Sequence, residues 1–185
     1  PRSGYALDYD HKPFEDRDPR FYNNILLPGT TWGHYADGRT YYITTYKGGA
    51  AYQHMVTQKD CNKRMFTRFM CKKFMWPECN QYLEKNNPNC WWDYRFLTIY
   101  IRASQIYLDY AEALFEGCGS ATATIEGCPI SAAEAINILR RRIGLTDLPS
   151  DIVADPDKFR AAYRRERAVE LMFDNHRWWD MRRWM

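Results

Sequence analysis

The sequence lacks several patterns that mark common classes of protein. It has no run of roughly 18 apolar residues, so no segment has the length and apolarity of a membrane-spanning helix. The six cysteines include no C-x-x-C pair, which argues against a zinc ribbon, a zinc finger or a thioredoxin-like redox site. Basic residues outnumber acidic ones by only 26 to 23, an excess too small to favour a nucleic-acid partner.

Signatures of catalysis and of metal binding are missing as well. The sequence has no G-x-S-x-G nucleophile motif, no glycine-rich phosphate loop and no H-E-x-x-H zinc motif. Asp8 and Asp10 do not begin a calcium loop of the EF-hand type, because Pro13 follows and the required glycine is absent. His176 has no second histidine near it in sequence, so we interpret it as structural. We therefore predict a protein that is not an enzyme and that needs neither a metal nor a cofactor.

Aromatic residues, in contrast, are abundant. The 185 residues include 14 Tyr, 9 Phe and 7 Trp. A disordered chain has few such residues to bury, so the sequence predicts a folded protein. Aromatic side chains at this density indicate a large core, a surface on which ligands stack, or both.

The sequence divides into two parts of different character. Residues 1–93 are irregular and rich in Pro, Gly, Asn and aromatics, with a strand predicted at residues 41–46 and a short strand or helical turn at residues 21–27. Residues 94–185 carry apolar residues at the three- and four-residue steps of helices. We predict a mainly α fold in which the loops and short strands of the first part lie over a helical scaffold.

Both parts are expected to belong to one domain that is truncated at both ends. The chain starts at Pro1 without an initiator methionine or a signal peptide. It stops at Met185 within a helical pattern. We therefore expect a fragment of a longer protein.

Local signals predict where the first two helices begin and end. The first helix ends at Gly117 and Gly119. Its predicted apolar stripe comprises Phe96, Ile99, Ala103, Ile106, Tyr107, Tyr110, Ala111 and Leu114. The second helix starts at Ser131, with Glu134 three residues on as in a capping box, carries Leu139 on its apolar face and stops at Gly144.

Two further helices follow a loop predicted at residues 145–153. The third helix begins with Asp155 as the cap and Pro156 at its first position. Asn175 predicts a left-handed break, because asparagine tolerates a positive φ. The last helix carries Trp178, Trp179 and Trp184, which we interpret as core or helix-packing residues.

Three segments in this order resemble the motifs of the SusD/RagB family. They are IRASQIYLDYAEAL at residues 101–114, AINILRRRIGL at residues 135–145, and RRERAVELMFDNHRWWDMRRW at residues 164–184. The resemblance is close over residues 94–185 and extends more weakly to DPRF at residues 18–21 and to Lys73-Phe74. Gln105 stands where the family usually has Glu, and Asn175 where it usually has Gly.

The resemblance implies a fold and a function. The fold would be a scaffold of tetratricopeptide-like helix pairs with long loops. The function would be that of a Bacteroidetes outer-membrane lipoprotein, exposed on the extracellular face and anchored by a lipid outside this fragment. It would bind a glycan or a peptide for polysaccharide utilization and deliver this ligand to a SusC-like TonB-dependent transporter, without catalysis. The alternative is a helical-repeat module that binds a protein or peptide and has no glycan affinity.

The candidate ligand-binding residues are aromatic side chains in polar, loop-like contexts. They are Trp32, Tyr35, Trp76, Trp91 and Trp92. Aromatic rings stack on the apolar C–H faces of sugars, while nearby Asn, Asp and Arg side chains bind the hydroxyl groups. The same rings could instead fasten long loops onto the helices, so both interpretations stay open.

Two further groups of residues have a structural and a chemical interpretation. Arg164, Arg165, Glu166, Arg167 and Glu170 form a charged cluster, which is either an anion site or an ion-pair network that pins its helix to its neighbours; we favour the network. The six cysteines fit three disulfides or six unrelated thiols. Cys118 and Cys128, which flank a short loop of small residues, are the best candidate pair for a disulfide.

Overall fold

A computed structural model describes residues 14–34, 39–44, 69–75 and 99–185. The chain divides into two units, one of Pro1–Thr30 with Tyr42–Lys72 and one of Thr31–Tyr41 with Lys73–Met185. The described elements are mainly helical, with short strands, which confirms the predicted fold class.

The first unit contains a short helix followed directly by a strand. Asp18 caps helix α1 (Pro19–Asn24) by accepting a hydrogen bond from the backbone N–H of Arg20, and a proline at the first position suits the helix start. Strand β1 (Ile25–Leu26) then pairs antiparallel with β4 (Met70–Cys71). Residues 21–27, predicted as a short strand or a helical turn, therefore contain the end of helix α1 followed by strand β1.

A second two-stranded sheet joins β2 (Thr31–His34) and β3 (Thr40–Tyr42). Strand β3 overlaps the start of the strand predicted at residues 41–46 but ends earlier, at Tyr42. Residues 45–46 lie outside the described residues.

Five helices lie in the described residues of the second unit. They are α2 (Ala103–Cys118), α3 (Ala132–Arg142), α4 (Ser150–Ala154), α5 (Pro156–Glu170) and α6 (His176–Arg183). All but α4 were predicted. Helix α4 occupies part of the predicted loop, because Pro149 acts as its N-cap residue rather than as a breaker.

The termini of α3 follow local chemistry. The Ser131 hydroxyl accepts a hydrogen bond from the backbone N–H of Glu134 at 3.2 Å, as the capping box predicts. The Glu134 carboxylate binds Arg141 instead of turning back towards the cap. Gly144 stops the helix with a φ of +80°, and the N–H groups of Gly144 and Leu145 bind the last carbonyl oxygens in the Schellman pattern.

Other predicted helix boundaries are also confirmed. Asp155 accepts hydrogen bonds from the N–H groups of Asp157 and Lys158 at the start of α5. Gly119 ends α2 with a φ of +68°, whereas Gly117, also predicted to end it, lies within the helix. Asn175 precedes α6 with a φ of +64°. Asparagine therefore keeps the left-handed break at this position.

The core of the second unit lies where α2, α3 and α5 meet. Its centre is an aromatic trio in which the ring of Phe115 lies 4.8 Å from Phe159 and 5.9 Å from Tyr163, measured between centroids. Leu114 and Leu139 are both buried, as predicted. Burial of these large side chains is the main stabilising contribution to the unit.

The predicted stripe of the first helix is wrong at three positions. Ile99, which precedes α2, and Ile106 are 57% and 61% exposed, and Ala103 is exposed as well. The residues of α2 that are buried are Ser104, Leu108, Ala111, Glu112, Leu114 and Phe115. The apolar positions of this segment are spread widely around the helix, so the pattern alone did not decide which flank faces the core.

The predicted packing of the last helix is wrong for two of its three tryptophans. Trp178 and Trp179 are 52% and 62% exposed, whereas Trp184 packs against the core. Helical spacing placed the rings correctly on a helix, but Asp180, rather than either exposed tryptophan, is the buried residue of α6. The ion pairs of Asp180, rather than hydrophobicity, determine which side of α6 faces the core.

The structure does not contain the predicted disulfide. Cys118 and Cys128 are both free thiols. Cys118 is exposed at the end of α2, whereas Cys128 is partly buried and hydrogen bonds with the side chain of Tyr110. Tyr110 also donates a hydrogen bond from its hydroxyl to the backbone oxygen of Ile130. This tyrosine, and not a bridge, fastens the loop to α2.

Tyr163 makes the stability of the core depend on pH in the alkaline range. Burial, together with the hydrogen bond to Glu116, raises the pKa of Tyr163 to about 12, whereas an unfolded tyrosine titrates near about 10. Between these pH values the unfolded chain loses the phenol proton and the folded chain keeps it. The contribution of Tyr163 to the free energy of unfolding should therefore fall by roughly 2 kcal/mol from pH 10 to pH 12.

Urea denaturation across this pH range checks the prediction, with Tyr163→Phe as the control that cannot titrate. The fall in stability should be smaller in the variant. The same dependence of unfolding free energy on pH in both proteins would contradict the assignment of this effect to Tyr163.

Candidate functional site

The structure leaves the five predicted ligand-binding aromatics untested. Tyr35, Trp76, Trp91 and Trp92 lie outside the described residues. Trp32 lies in β2, but its side chain is also outside the described part. All five therefore stay predictions.

A half-open cavity of about 260 Å³ lies at the turn between α5 and α6. It is lined by Phe74, Ile99, Tyr100, Arg102, Gln105, Leu171, Phe173, Asp174, Asn175 and His176. The lining combines aromatic rings with amide, imidazole and charged groups. Its residues come from three separate stretches of the sequence, and all of them belong to the second unit.

Unusual backbone conformations surround this cavity. Phe74 and Phe173 have φ values of +71° and +67°, a left-handed region that bulky side chains rarely adopt. Such positions cost on the order of 1–3 kcal/mol and persist only where the surroundings enforce them. Here they hold both phenyl rings at the cavity, where each remains partly exposed. Tyr100, which is 88% exposed, supplies a third ring.

A buried ion-pair clamp enforces this turn. The Lys73 ammonium donates to Asp174 at 2.9 Å and to the backbone oxygens of Glu170 and Met172. It therefore satisfies carbonyl groups that the end of α5 leaves without helical partners. The Arg102 guanidinium donates to Asp174 at 2.9 Å and to Glu170 at 3.3 Å. These hydrogen bonds join two parts of the cavity wall, at Lys73 and Met172, that lie about one hundred positions apart in the sequence.

The clamp perturbs the lysine within it. The pKa of Lys73 is lowered from its ordinary value because burial penalises the charged ammonium, while the hydrogen bond to Asp174 acts in the opposite direction. Nearby Arg102 lowers this pKa further. Two carboxylates and two carbonyl groups compensate the buried charge, which supports a structural rather than a catalytic role for Lys73.

The charged cluster predicted on α5 is an ion-pair network that holds this helix to its neighbours. Buried Glu166 pairs with Arg140 of α3, and buried Glu170 pairs with Arg142 just at the end of α3. Buried Arg167 binds Asp180 of α6 at 2.7 Å and Asp109 of α2. The favoured interpretation of this cluster is confirmed for these residues. Among the described residues, Arg164 and Arg165 form no ion pair within this network.

The exposed surface of α6 is a feature that sequence reasoning missed. Trp178, Trp179 and Met181 are exposed there together with Arg177 and Arg182. The Arg182 guanidinium stacks 4.2 Å from the ring centroid of Trp178. The i, i+4 spacing of these two residues on a helix was the signal that could have indicated this pair.

The described residues at the cavity provide aromatic rings and hydrogen-bonding groups. Among them, no three His, Cys, Asp or Glu side chains are grouped as a metal site would require. His176 is partly buried at the cavity and has no catalytic partner in any hydrogen bond seen in the described region. None of the helices described is long and apolar enough to cross a membrane. Aromatic rings beside amide groups suit stacking against a ring-shaped ligand and hydrogen bonding at its edge.

Comparisons with known proteins agree with these motifs. The model of the SusD family matches residues 6–185. The chain is also similar to the crystal structure of a SusD-like protein from Bacteroides fragilis, with 30% sequence identity and a TM-score of 0.63. This similarity covers 94% of the present chain but only 29% of that protein. No curated protein sequence matches the chain.

Proposed function

The chain belongs to the SusD family, and from this premise we propose that it is part of a protein that binds oligosaccharide nutrients at the cell surface. The match of the family model over residues 6–185 carries the proposal. Because the chain spans 29% of the length of the similar SusD-like protein, the activity proposed is that of the whole protein, to which this part contributes.

The proposed partner is a SusC-like TonB-dependent transporter of the outer membrane. In this arrangement the protein is a lipid-anchored lipoprotein on the extracellular face and passes its ligand to the transporter. The resemblance of the three helical motifs to the SusD/RagB family supports this role. It needs no catalytic step, consistent with a site built from stacking rings and hydrogen-bonding groups.

We propose that the cavity at the α5–α6 turn contributes to ligand contact. Its rings can stack on sugar faces, and the side chains of Gln105 and Asn175 can bind hydroxyl groups at the edge. The clamp of Lys73 and Arg102 keeps the wall rigid, so little ordering would be needed on binding. Trp32, Tyr35, Trp76, Trp91 and Trp92 remain proposed ligand contacts as well.

Calorimetric titration of the protein with maltoheptaose, xylohexaose and chitohexaose tests the function. At least one oligosaccharide should bind, and Tyr100→Ala should weaken this binding by roughly 1–3 kcal/mol, as loss of a stacking aromatic anchor does. Tyr100 is so exposed that its removal should leave folding intact. Tyr42→Ala is the matched control, because Tyr42 is also exposed but does not line the cavity.

Two results would contradict parts of the proposal. Binding of peptides with no binding of any saccharide would favour the peptide-binding module instead. Equal binding by the Tyr100→Ala and Tyr42→Ala variants and by the unmodified protein would remove the cavity from the site and leave the function in place.

A further inference from the structure

Two amide side chains of the cavity at the α5–α6 turn are available to a ligand. Gln105 of α2 and Asn175, which precedes α6, both line this cavity although they lie far apart in the sequence. In the part of the chain that the structure describes, neither side chain takes part in a hydrogen bond, and Asn175 does not cap α6. Each amide offers two N–H donors and an oxygen acceptor. The fold therefore brings two unused pairs of donors and acceptors to one site.

Gln105 is not the residue that the start of α2 favours most. It lies in the first turn of this helix, and that turn contains no acidic residue. A carboxylate in the first turn interacts favourably with the positive end of the helix dipole. Glutamate and glutamine are otherwise similar in their helix propensity. The helix would therefore gain stability from glutamate at this position.

Asn175 also occupies a position that another residue suits better. Its φ of +64° lies in the left-handed region, which glycine adopts without the steric cost of a side chain. The Asn175 side chain does not offset this cost by capping α6. Residues that local backbone preferences disfavour are concentrated at functional sites. Gln105 and Asn175 both fit this pattern, and both line the same cavity.

The motifs shared by the SusD/RagB family do not dictate these two residues. The family usually has Glu at the position of Gln105 and Gly at the position of Asn175, which are the residues that the local backbone favours. Ile99 and Tyr100 also line the cavity and lie outside the three segments that resemble the family motifs. Four residues of the lining are therefore open to variation that suits one ligand.

The carboxylate and the guanidinium of the lining are engaged within the protein. Arg102 donates to Asp174 at 2.9 Å and to Glu170 at 3.3 Å, and Asp174 also accepts a hydrogen bond from Lys73. An ionised ligand group would lose its hydration in the cavity without meeting an unpaired carboxylate or guanidinium, which is unfavourable. The two amides can hydrogen bond an uncharged ligand without any such cost.

The size and the rings of the cavity suit a single sugar unit. Its volume of about 260 Å³ is just below the range of roughly 300–1,000 Å³ that sites for drug-sized ligands have. Tyr100 and Phe173 are 88% and 46% exposed at the cavity, so their rings are accessible for stacking. One sugar ring of a longer chain can therefore occupy the cavity.

We propose that the cavity is a subsite for one uncharged sugar ring, and that Gln105 and Asn175 determine its specificity. This inference rests on the proposed function and narrows its ligand class to neutral glycans. The amides bind hydroxyl or acetamido groups at the edge of the ring, while Tyr100 stacks on its face. A sugar with a carboxylate or an ammonium group binds more weakly, because Arg102 and Asp174 neutralise each other.

The test replaces each amide by the residue that the backbone favours. Calorimetry compares Gln105→Glu and Asn175→Gly with the unmodified protein. The neutral probes are maltoheptaose, xylohexaose and chitohexaose, and the charged probes are the hexamers of galacturonic acid and of glucosamine. We expect at least one neutral probe to bind more tightly than either charged probe. Its affinity should fall at least fivefold in each variant, because Glu has no N–H donor and Gly has no side chain.

Urea denaturation separates a role in binding from a role in folding. Both variants should be at least as stable as the unmodified protein, because Glu suits the first turn of α2 and Gly suits a positive φ. The expected result is therefore a loss of affinity without a loss of stability. A variant that lost both together would show a structural role and overturn the assignment of that residue.

The matched control is Asn23→Asp, at an exposed amide of α1 that does not line the cavity. It introduces the same negative charge as Gln105→Glu. Its affinity for the neutral probe should change less than twofold. An equal loss of affinity in this control would show a general effect of charge and overturn the role of Gln105.

The remaining outcomes separate this inference from the proposed function. Unchanged binding of a neutral probe in both variants would overturn the role of the two amides and leave the glycan-binding function standing. Binding of a charged probe alone would overturn the neutral ligand class and also leave that function standing. Failure of every saccharide, neutral or charged, would overturn both.

Discussion

Replacing Arg167 by methionine is expected to lower the free energy of unfolding by roughly 3–5 kcal/mol. The Arg167 side chain is almost completely buried and connects Asp180 of α6 with Asp109 of α2. Without it, Asp180 stays buried, and the one side-chain hydrogen bond left to it from the described residues is that from Arg183 at 3.0 Å. A buried carboxylate that has lost its main partner carries a desolvation cost that the exposed Asp109 does not share.

The double variant Arg167→Met/Asp180→Leu distinguishes a lost charge balance from lost packing. Because it removes both members of the buried pair, most of the stability lost in the single variant should return. Arg165→Met is the control, since Arg165 lies two residues earlier on α5 and is exposed, and it should change stability by less than about 0.5 kcal/mol. Urea denaturation followed by circular dichroism measures all three. If the double variant were as unstable as the single one, packing rather than charge would explain the effect.

Helix boundaries were predictable because their causes are local. Ser131 and Asp155 cap helices through hydrogen bonds that span two or three residues. Gly144 and Asn175 adopt the left-handed conformation that the helix ends require. In each case the chemistry lies within one turn of the chain, so the sequence contains all of it.

The side of a helix that faces the core was less predictable. Ser104 and Glu112 of α2 are buried while Ile106 is exposed, the reverse of what hydrophobicity favours. Glu112 is buried because it receives Arg183 and Trp184, which lie about seventy residues later in the chain. Such pairs depend on the tertiary arrangement, and no periodic pattern within α2 records them.

The candidate cavity was not predictable for the same reason. Its geometry depends on Lys73 reaching the backbone oxygens at the end of α5, about one hundred residues away. The Lys73-Phe74 pair and residues 172–175 both lie in segments that resemble motifs of the family. Only the structure shows that they form one wall, with Phe74 and Phe173 held in matching left-handed conformations.

The second large effect is expected in the core. Phe159→Ala should lower the free energy of unfolding by roughly 3–5 kcal/mol, because it removes a completely buried ring and leaves a cavity. The ring contacts Phe115 and Tyr163, with centroid distances of 4.8 Å and 6.1 Å. These partners are themselves buried on α2 and α5, so they have little freedom to collapse into the space.

Phe173→Ala is the matched control for the same chemical change at an exposed ring. Its cost should stay below about 1 kcal/mol, since Phe173 is already 46% exposed and its φ of +67° strains either side chain. Thermal and urea denaturation of both variants give the comparison. Similar losses in the two variants would mean that the aromatic trio does not dominate the core. A large loss of stability only in Phe159→Ala would show that the packing of α2 against α5 stabilises the second unit. The exposed rings proposed to contact ligand would then contribute little to its stability.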